Sequence, residues 1–134
     1  MKLIVTDRSS GHKPSDNCDV YIVNTYGEMS KFLRLSNVTF IGGSLVNHGG
    51  QNPLEAVRMG NYVMHGKKVN NFKEIYKELK SLKISSEIKN IDQMEKVFVK
   101  NHNYKISNSK LNKINYLGAK IFENNVKEIK NYLI

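Results

Sequence analysis

The sequence contains one cysteine, two prolines and no tryptophan among its 134 residues. A single cysteine cannot form an internal disulfide, which excludes a disulfide-stabilised fold and favours a reducing compartment. The prolines, Pro14 and Pro53, lie far apart, so no proline-rich linker divides the chain. Apolar runs are only a few residues long, whereas a membrane-spanning helix needs about 20 residues. The composition therefore indicates one soluble globular domain covering residues 1–134.

Acidic residues are scarce relative to basic ones. Twelve Asp and Glu stand against 21 Lys and Arg, which gives a formal net charge of +9. This excess favours an anionic partner, such as nucleic acid, an anionic membrane surface or a phosphorylated substrate. The excess lysine accompanies many Asn and Ile residues, a bias that an AT-rich genome also produces. The chain has no RRM, KH or helix-turn-helix signature, so nucleic acid is not the expected partner.

Metal-ligating residues are also sparse. His12, His65 and His102 have no partner at the spacing of a metal site, and only Cys18 could supply a thiolate. A zinc site normally combines four such ligands at short spacings. We therefore expect neither a metal nor a cofactor.

The apolar pattern alternates between short runs and helical spacing, which predicts an α/β fold: a Rossmann-like parallel sheet flanked by helices. Thr25 followed by Glu28 predicts a capping box at the first helix. Gly118 marks a potential break in the last helix. Strands are predicted at 2–6, 20–23, 38–41, 62–64 and 83–88, and helices at 26–35, 53–60, 71–81, 91–100 and 108–134.

Glycine is concentrated in one place, since four of the nine glycines lie within residues 42–50. A glycine inside an element costs about 0.5–1 kcal/mol relative to alanine, so the cluster predicts a sharp turn or close approach of a ligand. The loop follows the strand at 38–41 and leads to a short helix that Asn52 caps and Pro53 begins. The four glycines are Gly42, Gly43, Gly49 and Gly50.

This glycine loop, residues 42–52, is expected at the carboxyl edge of the sheet, where ligands of such folds bind. Backbone N–H groups before a helix attract anions, and Ser44, His48, Gln51 and Asn52 add polar side chains. The spacing is neither a P-loop nor GxGxxG, so the pattern predicts only a phosphate-bearing ligand.

Glu55, in the first turn of the helix, has two interpretations. Its carboxylate could stabilise the helix dipole, or it could accept hydrogen bonds from ribose hydroxyls. The pattern alone leaves both open.

Five stretches together resemble one family: the C-terminal half of 3-deoxy-D-manno-octulosonic acid (Kdo) transferases. These enzymes move Kdo from CMP-Kdo to the lipid A precursor of Gram-negative lipopolysaccharide. The resemblance covers nearly the whole chain. The stretches are RSSG at 8–11, NTYGEM at 24–29, FIGGSLV at 40–46, HGGQNPLE at 48–55 and NF at 71–72.

The resemblance implies the C-terminal half of a GT-B glycosyltransferase, in which a donor-binding domain faces an N-terminal acceptor domain. Residues 1–134 would be the CMP-Kdo-binding domain alone. The catalytic base is expected on the acceptor domain, so no catalytic residue is assigned here and the chain alone is expected to be inactive. The lipid A precursor would be reached through the acceptor domain, at the cytoplasmic face of the inner membrane, and the charge would suit an anionic membrane surface.

By the same resemblance, Glu55 would bind the ribose and Arg8 an anionic group of the donor, either its phosphate or the sugar carboxylate. Asn71 would begin a second helix facing the same cleft. The chain departs from the family at Gln51, where a histidine is usual, at Asn24, where an aspartate is usual, and at Lys67-Lys68, where Pro-His is usual. The remaining donor-binding residues would be Gly42, Gly43, Ser44, His48, Gly49, Gly50, Gln51 and Asn52.

Two alternatives to a catalytic half remain. The chain could be a binding-only nucleotide module, or it could be a degenerate remnant of the enzyme that keeps the fold without turnover.

Overall fold

Short strands and helices alternate along residues 2–132, the part of the chain that the computed structural model describes. Within this part there are five strands, five α-helices and one 3₁₀ turn, Asn70–Phe72. The strands are β1 Val5–Asp7, β2 Val20–Ile22, β3 Val38–Ile41, β4 Tyr62–His65 and β5 Ser85–Glu87. The helices are α1 Met29–Leu35, α2 Leu54–Arg58, α3 Lys73–Ser81, α4 Ile91–Asn101 and α5 Asn108–Tyr132.

The chain divides into two compact units, the first ending at Phe32 and the second beginning at Leu33. In the first unit β1 and β2 pair in parallel, with Val5 opposite Val20. The Arg8 N–H continues this pairing by donating to the Ile22 carbonyl at 2.9 Å. The rings of Tyr21 and Phe32 pack beside it, with centroids 6.0 Å apart.

In the second unit β4 lies between β3 and β5, and both pairings are parallel. All four residues of β4 are buried, as expected for a parallel strand covered on both faces. Because side chains alternate along a strand, Val63 points to one core, with Val57 and Leu79. Tyr62 and Met64 belong to a second core. The expected parallel α/β architecture is thus confirmed, as two sheets, one in each unit.

Three local details differ from the pattern. The helix expected from residue 71 begins as the 3₁₀ turn and becomes α-helical only at Lys73. Helix α5 runs unbroken through Gly118, and the missing side chain at 118 leaves room for the Arg58 guanidinium of α2. The prediction of a capping box at Thr25 is wrong. The Thr25 hydroxyl donates to the Glu28 carboxylate at 2.7 Å, and α1 begins only at Met29. Residues 133 and 134 of the predicted last helix lie outside the described part.

None of the helices in residues 2–132 combines the length and the apolarity that a bilayer crossing requires.

Candidate functional site

The glycine loop leaves the carboxyl end of β3 and leads into α2, at the carboxyl edge of the three-stranded sheet. The connection between β4 and α3, residues 66–72, leaves the same edge. Several hydrogen bonds join the two loops: Lys68 N–H donates to the Ser44 carbonyl at 2.8 Å, and Asn71 N–H to the Gly49 carbonyl at 3.3 Å. The loop therefore lies where parallel sheets bind ligands.

Three of the four loop glycines are required by the backbone itself. Gly43, Gly49 and Gly50 have φ of +70°, +86° and +77°, a region that residues with a side chain rarely adopt. A Cβ atom at Gly43 would lie 3.0 Å from the His48 ring, and one at Gly49 would collide with the Asn71 carboxamide. The sharp turn inferred from the sequence is confirmed at these positions.

Gly42 differs from the other three. Its φ is not positive, and a Cβ atom there would meet nothing within 4 Å. Neither strain nor local packing accounts for this glycine. It borders open space beside the loop.

Ser44 acts inside the loop. Its side chain is fully buried, and its hydroxyl donates to the Ile41 carbonyl at 2.6 Å while accepting from Gly66 N–H at 2.8 Å. A hydroxyl has one hydrogen to donate, and here it is used. Ser44 thus holds the loop to the β4–α3 connection and offers no hydroxyl hydrogen to a ligand.

The segment before α2 is arranged largely as the sequence indicated. The Asn52 Oδ1 accepts a hydrogen bond from Leu54 N–H, the first amide of α2, at 3.0 Å, although Pro53 rather than Asn52 occupies the N-cap position. Pro53 has helical dihedrals, with φ −83°, although α2 itself starts at Leu54. The side chains of Gln51, Asn52 and His48 are exposed.

Glu55 is exposed in the first turn of α2. Within residues 2–132, no hydrogen bond or ion pair engages its carboxylate, whereas Glu28 has three side-chain partners. Both of its oxygens are therefore available to hydroxyl donors of a ligand. A dipole role needs no partner either, so the structure leaves both interpretations of Glu55 standing.

Arg8 belongs to the first unit, whereas the other predicted binding residues belong to the second. Its Nε donates to Glu28 Oε2 at 2.9 Å and its Nη2 to Oε1 at 3.0 Å. This bidentate pair raises the pKa of Arg8 and lowers the pKa of Glu28 to about 2. Lys31 adds a contact to the Glu28 carboxylate at 3.3 Å. Nothing in the local sequence pattern indicated that Arg8 has an internal anionic partner.

Pattern reasoning also missed a cavity beside the loop. It measures about 530 Å³, within the range of roughly 300–1,000 Å³ common for small-molecule sites. Lys67, at a position where the Kdo transferase family usually has another residue, lines the cavity and adds positive charge, as does Lys89. The full lining is Leu45, Lys67, Glu87, Ile88 and Lys89.

Within the described residues, no group of three or more His, Cys, Asp and Glu side chains is arranged to hold a metal ion.

Comparison with known proteins shows that the chain is similar to part of Kdo transferases. The chain is 31% identical to the 3-deoxy-D-manno-octulosonic acid transferase of Rickettsia bellii over 130 residues, which are 97% of this chain and 26% of that protein. It is 40% identical to the Haemophilus influenzae enzyme of the same name over 72 residues, 54% of this chain and 17% of that protein. The chain thus spans about a quarter or less of the length of these relatives. No protein-family model matches it.

A solved structure is also similar. The crystal structure of the C-terminal CMP-Kdo binding domain of WaaA from Acinetobacter baumannii superposes with a TM-score of 0.68 and 28% identity. The match covers 72% of this chain and 51% of that one. The resemblance carried by the sequence motifs is thereby confirmed, as is the parallel α/β fold.

Proposed function

We propose that this chain is the CMP-Kdo-binding domain of a Kdo transferase, which is a glycosyltransferase. The reason is that the chain is related to the C-terminal domain of these enzymes. In this proposal the acceptor domain and the catalytic base belong to a separate part of the enzyme. That part would present the lipid A precursor at the cytoplasmic face of the bacterial inner membrane. The chain alone would then bind the donor without transferring it.

The observation that carries the proposal is the pairing of a glycine loop with a free carboxylate. Gly42 borders open space, and nine residues later in the sequence the exposed Gln51 and Asn52 side chains precede α2. Glu55 follows with both oxygens unengaged by residues 2–132. A loop of this kind admits phosphates, and a nearby carboxylate suits the vicinal hydroxyls of ribose.

The other residues divide into ligand contacts and supports. Asn71 lies against Gly49, and His48 against Gly43, so both are next to the proposed ligand path. Ser44 instead stabilises the loop through the buried hydrogen bonds of its hydroxyl to Ile41 and Gly66. Arg8, in the first unit, has N–H donors beyond the two that Glu28 accepts, because a guanidinium carries five, so it keeps the capacity to bind an anionic group.

The test is the affinity for CMP of Glu55→Ala, measured by calorimetric titration. Glu74→Ala is a matched control, because Glu74 is also an exposed carboxylate in the first turn of a helix. If Glu55 binds ribose, its loss should weaken binding by about 1–3 kcal/mol, the usual range for a charged hydrogen-bonding partner. Glu74→Ala should bind CMP as the wild type does.

A second variant tests the open space at Gly42. Gly42→Val places a side chain in the open space beside the loop, so it should abolish CMP binding. Because φ at Gly42 is not positive, the melting temperature should change little. If both Glu55→Ala and Gly42→Val bind CMP as tightly as the wild type does, the assignment of the nucleotide site to the glycine loop and Glu55 is refuted. A binding-only module would bind CMP equally well, and it is separated from a catalytic half by adding the acceptor domain and assaying Kdo transfer.

A further inference from the structure

A buried tyrosine reaches the glycine loop from a different element. Tyr76 lies on α3 and is only 4% exposed. Its hydroxyl donates to the Gln51 carbonyl at 3.0 Å. A carbonyl oxygen can only accept, so the phenol must be the donor.

The ring of Tyr76 also packs against a buried histidine. His65, buried at the end of β4, packs against it with ring centroids 4.3 Å apart. His65 is itself oriented by a 2.7 Å hydrogen bond between its Nδ1 and the Gly66 carbonyl. Burial raises the pKa of Tyr76 to about 12, so its hydroxyl keeps the proton it donates at neutral pH.

The bond to Gln51 sets the orientation of a whole peptide group. The described residues contain no cis peptide bond, and in a trans peptide the C=O and the following N–H point in opposite directions. The Gln51 carbonyl points to Tyr76, so the Asn52 N–H points away from it. No protein group within residues 2–132 accepts from that N–H.

We propose that Tyr76 is a positioning residue, which fixes the Gln51–Asn52 peptide of the glycine loop for nucleotide binding. The inference rests on the proposed function for the identity of the ligand. The loop itself is tied by two further bonds, Gly50 N–H to the Gly43 carbonyl and Asn71 N–H to the Gly49 carbonyl, both at 3.3 Å. These two amides report on how tightly the loop is held.

The experiment compares Tyr76→Phe with Tyr104→Phe by amide hydrogen exchange of the 134-residue chain without ligand, followed by CMP titration. Tyr104 is the matched control, since its buried hydroxyl has no hydrogen-bond partner within the described residues. Tyr76→Phe should speed exchange at Gly50 and Asn71 by roughly two- to tenfold, the effect of losing one net hydrogen bond. Its CMP affinity should fall by a similar factor.

Exchange at Val63, whose N–H donates to the Ile84 carbonyl in the core, should stay unchanged in both variants. Unchanged exchange in the loop of Tyr76→Phe would overturn the inference. So would equal acceleration at Val63, an equal effect of Tyr104→Phe, or CMP affinity that is unaffected by a loosened loop. A wild type that does not bind CMP would overturn the proposed function, while the exchange result would still decide whether Tyr76 holds the loop.

Discussion

Glu28 shows why single-residue roles are hard to assign from local sequence. Its spacing from Thr25 predicts a capping box, yet its carboxylate is engaged by Arg8, which lies 20 residues earlier. A bidentate arginine–carboxylate pair is stronger than a neutral hydrogen bond, so the distant partner determines the geometry. Local spacing carries no information about such a partner.

The Arg8–Glu28 pair predicts a specific titration. The pKa of the Glu28 carboxyl should lie at about 2, because Arg8, Thr25 and Lys31 all donate to its charged form. A depressed carboxyl pKa adds stability above the unfolded value of 4.5, and this is lost as pH falls from 4.5 towards 2. Carboxyl-carbon NMR titration measures it directly. In Arg8→Met the pKa should rise towards 4.5, and an unchanged value would contradict the assigned cause.

At the scale of elements, apolar periodicity predicted every strand and α-helix of the described chain to within a few residues. It could not predict the long-range contacts that the glycine loop makes. The Ser44–Gly66 and Tyr76–Gln51 hydrogen bonds join residues 22 and 25 positions apart, and they depend on how neighbouring strands and helices bring their loops together. The glycine cluster located the candidate site, but only the fold separated Gly42 from the three structurally required glycines.

The link between the β3–α2 and β4–α3 connections can be tested at Ser44. Ser44→Ala removes both hydrogen bonds of the hydroxyl and leaves buried backbone groups of Ile41 and Gly66 without that partner. Unfolding in urea should show a loss of about 1–3 kcal/mol, the cost of an unsatisfied buried group. Ser81→Ala is the control, because Ser81 is exposed and should change stability by less than about 0.5 kcal/mol. Equal effects would show that Ser44 does not tie the loops together.

At the scale of the whole molecule, the chain corresponds to about a quarter or less of the length of these two relatives. Its net charge of +9 suits an anionic donor such as a nucleotide sugar. Composition alone could not separate that donor from nucleic acid or an anionic membrane. The resemblance to Kdo transferases favours a nucleotide sugar, and the glycine loop lies at the carboxyl edge of the sheet, where folds of this kind bind ligands.

Titration of CMP-Kdo into the isotope-labelled chain, followed by amide chemical shifts, tests the donor-binding claim most directly. The account predicts saturable shifts at residues 42–52 and at Glu55, with the amides of α4 and of the second half of α5 unmoved. An absence of shifts at millimolar CMP-Kdo, or shifts confined to elements away from the glycine loop, would contradict it.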